Sequence, residues 1–173
     1  HFSPPQANGF DVCFSTESKV PTWNPMDKPK VDARRTWWDI SDDTEPYGTA
    51  YWDEKGRRAT KNLAGANARV ILDRAIPFMR SAAQKEQPFF TIVWFHTPHL
   101  PVVAGPEYAR MYADEDKYTQ HYRGCITAMD EQVGRLRNEL RAMGVANNTL
   151  VTFCSDNGPV GKADSAPGRA GHL

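Results

Sequence analysis

Hydrophobic and polar positions divide the chain into an irregular opening and a regular remainder. Residues 1–60 are polar, rich in proline and glycine and studded with tryptophan, as in PTWNPM, RRTWWDI and GTAYWDEKG. No helical or strand period persists there, which predicts loops with one short strand at Phe10–Phe14. Loops of that length are uncommon unless they bind something or cover neighbouring structure. Trp23, Trp37, Trp38 and Trp52 then either fasten the loops to a larger body or stack on a sugar or another aromatic ligand.

From residue 64 the pattern becomes periodic. Val70, Ile71, Ala75, Phe78 and Met79 recur near helical spacing and predict a helix over 66–85, with Pro77 kinking or dividing it. PFFTIVWF after Pro88 is a nearly continuous apolar run of aromatic and β-branched residues. It predicts a strand buried on both faces, as in a parallel sheet covered by helices. The clearest helix carries Tyr118, Tyr122, Cys125, Ile126, Met129, Val133, Leu136, Leu140 and Met143 at threes and fours, and Gly144 stops it. A turn and a second apolar strand, Leu150–Cys154, follow. Strand, long helix and strand make a right-handed βαβ unit, so the fold class is α/β. Residues 1–60 are then a loop-rich segment, and 61–173 the βαβ core segment, of one domain.

Reactive groups in open α/β sheets gather beyond the carboxyl ends of the strands. Those ends carry His96-Thr-Pro-His99 and Ser155-Asp156-Asn157-Gly158. Asp156 and Asn157 offer a carboxylate and an amide carbonyl, hard oxygens that suit calcium or magnesium, although Asp-Asn-Gly is also ordinary turn chemistry. His99, stiffened by Pro98 and Pro101, could donate a hydrogen bond to an anionic oxygen or protonate a leaving group. His96 reads as a supporting histidine, and His121 as a packed or solvated helix residue. A zinc site of His96, His99 and Asp156 is disfavoured, because two histidines around a proline do not enforce tetrahedral geometry.

A nucleophile is the missing part. Cys13, Cys125 and Cys154 have no activating base in the sequence, and Ser155 is not in a G-x-S-x-G elbow. The phosphate loops G-x-x-x-x-G-K-[ST] and G-x-G-x-x-G are absent. Across 173 residues, 21 basic side chains balance 21 acidic ones, which gives no support for nucleic-acid binding. No apolar run reaches transmembrane length. A chain opening on His and closing on AGHL reads as a piece cut at both ends.

QPFFTIVWFHTPHLP and YRGCITAMDEQVGRLRNELRAMGVANNTLVTFCSDNGP, in that order and spacing, resemble the middle of a type I sulfatase. This is the formylglycine-dependent family with an alkaline-phosphatase-like α/β fold. The resemblance implies part of that sheet with flanking helices, incomplete here. It implies that Asp156 and Asn157 are calcium ligands (magnesium less so) and that His99 contacts the substrate sulfate and assists at the bridging oxygen. His1, ahead of NGFD, takes the place of the histidine in the family's K-W-H motif. The family's C-x-P-x-R, whose cysteine becomes formylglycine, has no counterpart in these residues and is expected outside them. The whole enzyme would cleave a sulfate monoester of a small molecule or glycan, and the isolated segment would be inert. Members of the family are often exported, so the resemblance implies periplasm, lysosome or medium. A phosphate-ester or phosphonate hydrolase of the same superfamily, and a non-catalytic binding domain, are the competing expectations.

Overall fold

The computed structural model describes residues 3, 5–30, 37–38 and 43–158. His1, expected to take the place of the K-W-H histidine, lies outside the described residues. The opening segment contains more strand than its sequence suggests. β1 (Phe14–Thr16) pairs antiparallel with β4 (Tyr51–Asp53), and β2 (Asp27–Pro29) pairs antiparallel with β3 (Thr44–Pro46). The expected strand at Phe10–Phe14 thus begins only at Phe14. A short 3-10 turn, Pro5–Asn8, precedes it. Three-residue strands are too short to write a period into the sequence, and side chains align them instead. Phe14 stacks on Tyr51 with centroids 4.3 Å apart, and Lys28 pairs with Glu45 at 2.9 Å.

The β1–β4 ribbon leans on α1 (Asn67–Gln84), whose Val70, Leu72, Ile76 and Met79 are buried. Val20, Tyr51 and Val70 form the centre of the apolar cluster, flanked by Phe14, Met26, Leu63 and Ile71. The Tyr51 hydroxyl accepts from Asn67 Nδ2 at 2.6 Å, and burial pushes its pKa up to about 12. α1 continues through Pro77 as one element, so the expected division does not occur.

α2 (Pro106–Arg110) and α3 (Lys117–Ala142) complete the helical part. Asp116 caps α3 by accepting from the Thr119 amide at 3.1 Å and the Thr119 hydroxyl at 2.6 Å. Gly144, at φ 74°, closes it. Asp73 of α1 binds Arg135 of α3 at 2.6 Å, and Arg80 of α1 pairs with Glu139. The buried stripe of α3 is rotated from the expected one. His121, Gly124, Cys125, Ala128, Gln132 and Leu140 are buried, whereas Tyr122, Ile126, Met129 and Val133 are only half-covered. The cause is close approach: a Cβ on Gly124 would lie 2.7 Å from Ala104 Cβ and 3.1 Å from the Tyr108 carbonyl carbon. Small residues, not large ones, mark this contact.

The two expected βαβ strands are corrected. Residues 88–95 and 150–154 carry no ladder hydrogen bonds among the described residues, nor do they pair with each other. Residues 89–95 nonetheless alternate between half-covered and exposed, which is the period of a pleated strand. Phe90 and Trp94 on the open side are 75% and 81% exposed, and Leu150 is 91% exposed. A strand needs a neighbour for its backbone groups, and the described residues supply none at either segment.

Trp23 is wedged between α1 and α2. It forms a β-bridge with Ala66 and meets Tyr108 edge-on at 6.2 Å. A Cβ at Gly105 would overlap three carbons of its indole ring. Gly105 has φ −58° and ψ 154°, which any residue adopts, so its role is space. Gly105→Ala is expected to destabilise the folded protein by about 2 kcal/mol, the scale of overpacking a filled core. Thermal unfolding of the full-length protein checks this, and an unchanged Tm would show that the indole yields.

Candidate functional site

The loop His96–Pro101 is tightly folded. The His99 amide donates to the His96 carbonyl at 2.6 Å, and the peptide bonds preceding Pro98 and Pro101 are both cis. The His99 ring is exposed, and its Nδ1 lies 2.7 Å from the Leu100 carbonyl oxygen. A carbonyl only accepts, so Nδ1 carries a proton and Nε2 is the nitrogen left for a ligand. In the imidazolium form Nε2–H can donate to an anionic oxygen or protonate a leaving group.

His96 is different. It is half-buried, with Nε2 3.5 Å from the Thr16 hydroxyl. Burial first, and then the neighbouring charge of His99, hold its pKa below the ordinary imidazole value. These features fit a neutral supporting ring.

Asp156 and Asn157 occupy an exposed bend after the second apolar run. The Ser155 hydroxyl donates to the Asn157 carbonyl at 2.6 Å and shapes the turn. Neither the Asp156 carboxylate nor the Asn157 amide has a side-chain hydrogen bond among the described residues, and no hydrogen bond joins them to His99. No group of three or more His, Cys, Asp or Glu side chains among the described residues is arranged to hold a metal ion. The bend therefore offers two unengaged hard oxygens, a donor type that fits calcium, while six to eight are needed to complete its shell.

Neither Cys125 nor Cys13 is primed as a nucleophile by its surroundings. Burial pushes the Cys125 thiol up to about 12. Cys13 is also raised, by burial first and then by Glu54. Both shifts oppose thiolate formation.

Sequence reasoning expected Trp38 to anchor a loop but did not identify Thr22 and His121, which with it hold the segment after His99. Thr22 donates its amide to the Pro101 carbonyl at 3.1 Å, and its hydroxyl both donates to the Val103 carbonyl at 2.6 Å and accepts from the Val103 amide at 2.7 Å. Trp38 Nε1 donates to the Val102 carbonyl at 3.0 Å. His121, buried in α3, accepts the Ala104 amide on Nδ1 at 3.0 Å. A histidine one turn before the buried Cys125 was the available signal, obscured by the flanking tyrosines.

Both apolar runs thus end in polar loops, with the long helix α3 between them. A family model described as Sulfatase matches residues 7–172. This chain belongs to the sulfatase family. It is 27% identical over 118 residues to the uncharacterized sulfatase YdeN of Escherichia coli, covering 65% of this chain and 21% of that protein. It is 26% identical over 157 residues to the N-acetylgalactosamine-6-sulfatase of Rattus norvegicus, covering 89% of this chain and 27% of that protein. The crystal structure of Ps i-CgsB superimposes with a TM-score of 0.62 at 21% identity, over 82% of this chain and 31% of the other. The chain thus carries part of the alkaline-phosphatase-like α/β fold of sulfatases and spans only 21–31% of these three proteins.

Proposed function

We propose that the full-length protein is a sulfuric ester hydrolase and that these residues supply part of its site. The supporting observation is the family match across residues 7–172, which takes in both the His99 loop and the Asp156–Asn157 bend. In this reading His99 binds the sulfate through Nε2–H and protonates the bridging oxygen as the alcohol leaves. The Leu100 carbonyl fixes the ring through Nδ1, so Nε2 needs no reorientation during the reaction. Asp156 and Asn157 would hold calcium through a carboxylate and an amide oxygen, as two of the six to eight donors its shell takes. When bound, the ion supplies positive charge that stabilises the transferring anion. The nucleophile, a formylglycine in this family resemblance, also comes from outside the segment, and the segment alone is expected to be inactive.

Relatives named for what they act on support a sulfated glycan as the substrate class. N-acetylgalactosamine-6-sulfatase of Rattus norvegicus and the ulvan-active sulfatase of Formosa agariphila, 30% identical over 106 residues, both point to a sulfated glycan. The test is hydrolysis of sulfate and phosphate monoesters at matched leaving groups by the full-length protein. Faster cleavage of the sulfate is expected. Preference for the phosphate would move the protein to the phosphate-ester branch of the superfamily, and no cleavage of either would leave a binding domain.

A further inference from the structure

The segment from Pro101 to Ala104 has no regular secondary structure, yet Val102, Val103 and Ala104 are buried. Its backbone groups need partners, and side chains from three distant places provide them. Thr22 ties it to the start of α1, since the Thr22 carbonyl also accepts the Asn67 amide at 2.9 Å. Trp38 holds the Val102 carbonyl. His121 takes the Ala104 amide, and its ring lies on the Trp38 indole at 5.9 Å with an interplanar angle of 18°. This strap begins two residues after His99, so its anchoring fixes where the His99 loop leaves the protein body.

We propose that His121 is a positioning residue: by accepting the Ala104 amide on Nδ1 it locks the Pro101–Ala104 strap and thereby the placement of His99. The inference rests on the proposed role of His99. The bond requires one tautomer, with Nδ1 bare and the proton on Nε2. If it is lost, a buried amide is left without a partner, and the strap must shift to find one. Misplacement of a reacting group by about 1 Å can cost on the order of a hundredfold in rate.

Two variants of the full-length enzyme separate the acceptor from the packing. His121→Phe keeps a ring against Trp38 and removes the acceptor. His121→Asn loses the ring and puts an amide oxygen near the Nδ1 position. The phenylalanine variant is expected to lose about tenfold in kcat, with KM changed less than about twofold, and the asparagine variant to recover to within about threefold of the parent. Full activity in the phenylalanine variant, or loss in both, would overturn the positioning role. Should the phenylalanine variant not fold, hydrogen exchange in the parent decides instead. The Ala104 amide is expected to be as protected as the centre of α3, and rapid exchange would refute the strap. That measurement does not depend on the substrate, so a protein that cleaves no sulfate ester but protects Ala104 would lose the proposed function while keeping the strap.

Discussion

His99→Ala in the full-length enzyme is expected to lower kcat on an alkyl sulfate by about 10²–10⁴-fold, the range general acid catalysis supplies, and on an aryl sulfate by about tenfold or less. The asymmetry comes from the leaving group. An alkoxide is a strong base and needs a proton as the bond to sulfur breaks, whereas a phenoxide departs without one. With Nδ1 turned to the Leu100 carbonyl, the ring offers a single nitrogen, Nε2, for that proton. The aryl loss that remains measures sulfate binding by the same nitrogen. His99→Gln provides the control, since its amide can still donate a hydrogen bond but cannot act as an acid. It should restore part of the aryl rate and none of the alkyl rate. Steady-state kinetics on an alkyl and an aryl sulfate read both. Equal losses on the two esters would exclude the acid role and leave His99 as a sulfate ligand.

The helices were legible in the sequence because their signals are local. Spacing at threes and fours from Tyr118 to Met143, and Gly144 after the end, locate α3 to within a residue or two. The strands were legible only in part. Residues 89–95 were expected to be buried on both faces, yet they alternate between half-covered and exposed; a ladder requires a second chain segment, and no pattern within seven residues specifies one. The three-residue ribbons of the opening segment lay below the length at which a period can be read. The same distinction applies to the candidate site. His99 and the Asp156–Asn157 pair follow apolar runs, where the rule for open α/β sheets directs attention. Thr22 and Val103 are 81 positions apart, Trp38 and Val102 are 64 apart, and Ala104 and His121 are 17 apart. Long-range pairs of this kind become visible only once the chain is folded. The buried face of α3 was misread for a related reason: Gly124 faces Ala104 and Tyr108 so closely that absence of a side chain is what the contact requires.

Asp156→Ala in the full-length enzyme is expected to weaken calcium retention by about 100-fold or more. Outer-shell partners of a metal typically cost about 10–100-fold when removed, and a charged ligand should exceed them. Activity should fall with metal content and return partly when calcium is added in excess. Asp156→Asn keeps an oxygen donor and removes the charge, so its affinity should lie between that of the parent and the alanine variant. Calcium per protein, measured by elemental analysis after dialysis against a weak chelator, gives a readout independent of turnover. His99→Ala serves as the counterpart, because it should lose activity while keeping its calcium. That opposition assigns one loop to the leaving group and the other to the ion. A His99→Ala protein that also lost calcium would show that the two loops act as one metal centre. An Asp156→Ala protein that kept calcium would return the Asp-Asn-Gly bend to an ordinary surface turn, for which the Ser155 hydrogen bond to the Asn157 carbonyl is sufficient explanation.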